Sequence, residues 1–254
     1  MIGLFEQVLD RVGPAICAGT APAVLTAQDI EESTGASRSV VREAARVLET
    51  LGMVRPVKRV GLVVQAPEHW NVLDPRVIRW NLASPGHDEQ VRELLELRIA
   101  IEPEAARLAA VQAGDWRVGQ ANGGADPHAA DDPRAQLVEA AKRLVGASGT
   151  PAFGERDAEF HRAVLEASGN AMFVRLAGVI SEALRERAST VAHADPRDVA
   201  LHAELAERIL AGAADAAADT AREIITRTAA DTARTRDSEK SRESEGSAPE
   251  PRDT

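Results

Sequence analysis

"STGASRSVVREAARVLETLGMVRPVKRVGLVV", Ser33 to Val64, changes its periodicity halfway along. Over "SRSVVREAARVLETLG" apolar residues recur at helical intervals, and Gly52 stands where a helix closes on a left-handed residue. "MVRPVKRVGLVVQ" is instead rich in valine, with Pro56 near one end and Gly61 inside it. The spacing predicts a helix followed by two short strands joined by a basic turn. Upstream, "LTAQDIEESTG" reads as a second helix closed by Gly35, and "LFEQVLDRVGPAICAG" as a third. Two helices across a short turn, followed by a strand pair, form a helix-turn-helix with a wing.

The charge on this stretch is local. Between Ser37 and Val64 stand Arg38, Arg42, Arg46, Arg55, Lys58 and Arg59 against only Glu43 and Glu49, whereas the whole chain carries -10. A basic module inside an acidic protein is the footprint of a phosphate-binding surface. With Ser37 as N-cap, Arg38 and Arg42 open the second helix one turn apart, where guanidinium groups suit both phosphate and the guanine edge. The competing reading is a solvated basic face with Arg46 paired to Glu43 or Glu49.

This stretch resembles the winged helix-turn-helix of the GntR family of bacterial transcription regulators, through a serine and arginine opening the recognition helix, V-R-E-A, a leucine-glycine stop and a basic wing. The resemblance implies contacts to double-stranded operator DNA from Ser37, Arg38, Ser39 and Arg42, and from the wing at Lys58, Arg59 and Gly61. Two positions depart from the family pattern: Gln28 stands for an arginine and Arg59 for a glycine.

Downstream, "APEHWNVLDPRVIRWNLASPG" is bounded by Pro67 and Pro85 and reads as a linker with one short helix over "PRVIRWNL". From Glu89 the pattern is helical throughout, with no strand signal, apart from "AGDWRVGQANGGADPHAADDPR", which reads as a long loop. From about Arg234 the chain is charged, rich in serine and proline and nearly without apolar residues, the composition of a disordered tail. The fold class is therefore mainly α: a winged helix-turn-helix over 1–68, a linker over 69–86, an all-α antiparallel bundle over 87–232 and a tail over 233–254.

A chain of 254 residues can bury a sizeable core, and its single cysteine, Cys17, excludes an intrachain disulfide and reads as a small buried apolar residue. No signal-peptide pattern opens it and no run approaches the length of a membrane span, so a soluble, cytoplasmic protein is expected.

"ERDAEFHRAVLEASGN", Glu155 to Asn170, places Asp157 and His161 on one helix face, one turn apart. Such a pair can hold a metal or merely share a local hydrogen bond. The helical half resembles the effector domain of the FadR-like branch of the same family, the FCD domain, a bundle of six or seven helices, through "LLELRIAIEPEAARLAA", "DAEFHRAVLEASGN" and "LHAELAERILAG". In that domain an aspartate and three histidines often hold a divalent metal whose coordination an effector carboxylate completes. By position the resemblance implies Asp157, His161 and His202 as ligands of Zn²⁺, Ni²⁺ or Mn²⁺, a donor set that suits these ions. Where the fourth histidine is expected the chain has Ile224, Ile225 and Thr228. Arg98 is implied as the partner of an effector carboxylate, the bland alternative being an ion pair with Glu102, four residues on.

The resemblance thus implies a homodimeric repressor, not an enzyme, responsive to a small carboxylate. The phrase "HWNVLDPRVIRW" is similar to that of members sensing sugar acids. The alternative is a metal-dependent hydrolase built on Asp157, His161 and His202, with Glu166 or Glu204 as acid or base.

Overall fold

The computed structural model describes the backbone of residues 3–121, 132–190 and 196–246. The chain divides into two units, Met1–Glu93 and Leu94–Thr254.

In the first unit, helix α1 (Leu4–Cys17) precedes a two-residue strand β1 (Val24–Leu25), then α2 (Ala27–Thr34), α3 (Arg38–Thr50), β2 (Val54–Val57) and β3 (Gly61–Val64). Thr26 caps α2, taking the Asp29 amide on its hydroxyl while the Asp29 carboxylate accepts the Thr26 amide, both at 3.1 Å. Gly35 ends α2 with φ 69°, in the left-handed region. Val8, Leu9 and Val12 of α1, Ile30 of α2 and Val41, Ala44 and Leu48 of α3 meet in one buried core. That packing turns the opposite face of α3 to solvent.

β2 and β3 pair antiparallel, Val57 opposite Gly61, and β1 adds to the far side of β3 with Val24 opposite Val63. The sheet order is β1-β3-β2. Sequence periodicity missed β1, since two residues carry no alternation. A Cβ on Gly61 would lie 2.7 Å from the Leu25 carbonyl oxygen, so this glycine lets the third strand close.

The stretch read as linker belongs to the first core. Helix α4 (Pro75–Leu82) covers the predicted "PRVIRWNL", with the Asp74 carboxylate accepting the Arg76 amide at 2.9 Å. It buries Val77 and Trp80 among the residues of α1 and α3. The Trp80 ring lies on Gly13, where an added Cβ would come within 2.4 Å, and its indole N–H donates to Asp10 at 3.3 Å. Flanking prolines suggested a linker, but the apolar face of this helix is too large to leave in water.

α5 (His87–Ala121) runs across the division between the units, followed by α6 (Pro133–Gly146), α7 (Phe153–Ala167), α8 (Ala171–Arg175), α9 (Ala177–Thr190), α10 (Pro196–Leu210) and α11 (Ala214–Gly246). The second unit is an antiparallel helical bundle. α6 and α9 pack on α7, and α10 packs on α6 and α11, around Phe160, Leu137, Leu165, Leu184, Leu201 and Leu205. Ala105, Ala106, Ala109 and Ala110 give α5 a small-residue face in the same core.

Three boundaries differ from the sequence reading. The long loop shortens, because α5 continues to Ala121; the rest of it, 122–131, lies outside the described residues. Within the stretch whose pattern is helical throughout, "AMFVRLAGVISEALRERAST" does not form one helix but breaks at Leu176 into α8 and α9. α11 stays helical to Gly246, beyond the expected start of the tail at 233, while 247–254 lie outside the described residues. Low apolar content excludes a packed core, but lysine, arginine and glutamate are good helix formers. Cys17 is half-buried against the first core, and burial pushes its thiol up to about 11.

Candidate metal and effector centre

α7 is buried along most of its length, so the face carrying Asp157 and His161 points into the bundle, where Asp157 is 2% and His161 4% exposed. α10 brings His202, fully buried, against them. Asp157 Oδ1 lies 3.0 Å from His202 Nε2 and 3.5 Å from His161 Nε2, and the two Nε2 atoms are 3.3 Å apart. Two ligand atoms that share one ion at about 2.0–2.1 Å stand about 3 Å apart, so these separations suit a common cation.

Each donor is oriented from behind. His202 Nδ1 lies 2.6 Å from the Asp198 carbonyl oxygen, and His161 Nδ1 lies 2.5 Å from Glu102 Oε2. With a metal bound, each ring would keep its proton on Nδ1, beside these oxygens, and offer the Nε2 lone pair to the cluster. Asp157 Oδ2 faces Arg187 Nη1 at 3.4 Å, which leaves Oδ1, buried and without a hydrogen-bond partner, to the cluster. A buried carboxylate oxygen and two imidazole lone pairs repel one another unless a proton or a cation stands among them. The donor set therefore fits a divalent metal.

Burial would lower the basicity of His161, but Glu102 and Asp157 outweigh it and raise the ring to about 9. Burial would likewise raise Glu102, yet Arg98 and then His161 hold it at about 2. Asp157 is held well below the usual carboxylate range by the two histidines, against its burial. In the metal-free chain a proton on His161 thus takes the place of a cation.

The outer partners extend across α9, α10 and α11. Arg187 Nη2 donates to Asp198 Oδ2 at 3.1 Å, and Arg227 Nε donates to Asp198 Oδ1 at 3.1 Å. The Phe160 ring stands edge-on to both imidazoles, with centroids at 5.8 and 5.3 Å, and closes an apolar side of the cluster.

Arg98 lies on α5 one turn before Glu102, both buried, with Nε 2.6 Å from Oε1. The bland alternative for Arg98 is therefore present, but it uses one edge of the guanidinium only. Arg98 Nη2 is buried with no partner. The structure brings Asp157, His161 and His202 together, and among the described residues α11 adds no fourth ligand: Ile224 and Ile225 are buried in place of a histidine, and the Thr228 hydroxyl donates to the Ile224 carbonyl at 2.6 Å. Sequence reading missed Arg187 and Asp198. Asp198 sits four residues before His202, a spacing open to inspection, whereas Arg187 meets Asp157 across thirty residues of chain and leaves no local signal.

In the first unit Ser37, Arg38, Ser39 and Arg42 line the exposed start of α3. Ser37 occupies the N-cap position, but its hydroxyl meets the Ser39 hydroxyl at 3.0 Å and caps no amide. Arg38 is 83% exposed and 3.4 Å from Glu31, a pair of little energetic weight. Among the described residues neither Arg42 nor Arg46 is ion-paired, so the pairing of Arg46 with Glu43 or Glu49 on which the competing reading rests is not made. Lys58 and Arg59 are exposed at the wing tip, and Gly61 is half-buried beneath β1. The Val60 amide closes the turn on the Val57 carbonyl at 3.0 Å, and Arg59, at its third position, has φ 64°, where a glycine is favoured.

Residues 93–227 match the FCD domain family. An uncharacterised helix-turn-helix transcriptional regulator of Escherichia coli K12, YieP, is 37% identical over 82 residues, 32% of this chain and 36% of the relative. The galactonate operon transcriptional repressor of the same organism is 26% identical over 155 residues, 61% of each chain. The matches thus span about a third and about three fifths of these relatives. The solved structure of Lar, described as controlling expression of the Listeria monocytogenes agr system, superposes with a TM-score of 0.53 over 92% of this chain and 98% of its own, at 14% identity, a likeness of fold. These relatives are named as regulators; of the two carboxylates the hydrolase alternative could use, Glu204 is half-exposed and paired with Arg208 at 2.5 Å, and Glu166 is half-buried on α7. With a winged helix-turn-helix before a helical bundle that matches over more than half the chain, the protein belongs to the FCD-domain branch of the GntR family of transcription regulators.

Proposed function

We propose that the chain is a cytoplasmic, homodimeric transcriptional repressor that binds a short palindromic operator and responds to a small hydroxy acid of the aldonic type. The convergence of Asp157 Oδ1 with two imidazole Nε2 atoms in a buried bundle, beside an unpartnered Arg98 Nη2, carries this reading.

On the DNA side, α3 enters the major groove with Arg38 and Arg42 at its leading end, and Lys58 and Arg59 reach the backbone or the adjacent minor groove. Ser37 and Ser39, whose hydroxyls already meet, donate to phosphate. On the effector side Asp157, His161 and His202 hold the metal, which when bound supplies Lewis-acidic attraction for a carboxylate. Arg98 offers the second edge of its guanidinium to the same anion, excludes neutral ligands by its buried charge and fixes the orientation of the acid.

Charge supports an anionic effector. Glu102, Asp157 and Asp198 are balanced by Arg98, Arg187 and Arg227, so a divalent cation leaves a positive excess in a buried site that an anion offsets. The name of the galactonate relative supports an aldonic acid, and three protein ligands leave positions for its carboxylate and hydroxyl oxygens.

A labelled fragment from upstream of the chain's own coding sequence tests the reading. The protein is expected to shift it, and an aldonic acid to release it. Absence of binding at low salt contradicts the DNA-reading assignment.

A further inference from the structure

We infer that Glu102 is the positioning residue of the bundle site: one carboxylate fixes the metal-binding tautomer of His161 with one oxygen and holds Arg98 in its anion-accepting orientation with the other. The inference rests on the proposed metal and effector site and assigns it a residue that touches neither metal nor effector.

Glu102 is 2% exposed, so bulk solvent does not reach its carboxylate. Its Oε1 accepts from Arg98 Nε at 2.6 Å, and its Oε2, buried and outside any aligned hydrogen bond, lies 2.5 Å from His161 Nδ1 as a close ion-pair contact. Each contact fixes a choice the partner would otherwise have. An imidazole can present either nitrogen, and the negative charge of Oε2 beside Nδ1 favours a proton there, which leaves Nε2 to face Asp157 and His202. A guanidinium can give its whole fork to one carboxylate, but here Glu102 is divided between two partners. Only Arg98 Nε is engaged, and Nη2 is left buried and unpartnered. Both outcomes follow from the placement of Glu102 on α5, one turn after Arg98 and facing α7. A glutamate that merely neutralised Arg98 would be expected to take both nitrogens and leave His161 free.

Zinc alone is the probe, titrated calorimetrically into the full metal-free chain and into two variants. Glu102→Gln keeps shape but cannot hold the His161 proton as a carboxylate does. Arg98→Met/Glu102→Leu removes both buried charges together, so neither is stranded and the bundle keeps its volume. Circular dichroism checks the fold of each. Zinc affinity is expected to fall about 10- to 100-fold in both. The visible spectrum of the cobalt-loaded Glu102→Gln chain is expected to change band position, because the His161 donor has lost its orientation. Affinity unchanged in both variants, or lower affinity with an unchanged cobalt spectrum, overturns the positioning role. An unaltered chain that binds no zinc overturns the metal site itself, and the inference with it; zinc binding that His161→Ala abolishes and Glu102→Gln leaves intact overturns the inference alone.

Discussion

His161 and His202 face each other through their Nε2 atoms, 3.3 Å apart, from two different helices of the bundle. Neither Nε2 is spent on a hydrogen bond to backbone: His202 meets the Asp198 carbonyl through Nδ1, and His161 turns Nδ1 to the Glu102 carboxylate at 2.5 Å. His161→Ala and His202→Ala are therefore each expected to abolish stoichiometric metal uptake, measured by elemental analysis after dialysis against zinc. Uptake by either variant at the level of the unaltered chain shows that the paired rings are a packing feature.

The proton that replaces a cation on His161 makes the metal-free bundle pH-sensitive. The ring is raised from 6.5 to about 9 by Glu102 and Asp157, with His202 on the same cluster and Arg98 and Arg187 behind the two carboxylates. A raised folded value stabilises fully below the unfolded value and is lost as pH climbs through the folded one. Chemical unfolding of the metal-free chain should lose up to about 3 kcal/mol between pH 6.5 and 9. His161→Gln should flatten that slope, and an unchanged slope in the variant sinks the assignment. Glu102, held at about 2, adds stability that is fully present above its ordinary value near 4.5 and is lost as pH falls from there through about 2.

On the DNA face Arg38→Ala and Arg42→Ala are each expected to weaken operator binding without changing the fold, since both side chains are exposed. Loss of a bidentate base contact costs about 1–3 kcal/mol, and loss of a phosphate contact lowers the salt slope by about one. Gel shifts at two salt concentrations separate the two cases. Equal affinity for all three proteins would falsify the recognition-helix assignment.

The first core yields a packing prediction. Gly13→Ala places a methyl group 2.4 Å from the buried Trp80 ring, where the indole cannot retreat without leaving Asp10. Overpacking of this kind costs about 1–3 kcal/mol. Denaturation of the variant should report it, whereas Gly3→Ala, with open space around it, should not. Equal stability of the two variants rules out the tight contact.

The helix-turn-helix, wing and bundle were legible because each has a long periodic stretch and glycines at its stops. β1 was not, since its two residues gain their identity only by pairing with β3. α4 was legible as a helix but not as part of the core, because nothing in the sequence links Trp80 to Gly13. Asp157 and His161 declare themselves by spacing on one helix. His202 needed the family pattern, and Arg187 needed three dimensions. Glu102 was visible only as a partner for Arg98; its second contact crosses from α5 to α7, where sequence separation conceals it.

Calorimetric titration of an aldonic acid into the zinc-loaded chain, repeated in excess chelator, tests the central claim most directly. Zinc and the acid should bind together, with acid affinity lost in chelator and in His161→Ala and reduced in Arg98→Ala. Acid binding of equal strength with and without chelator contradicts the account and returns Asp157, His161 and His202 to a metal-free polar cluster.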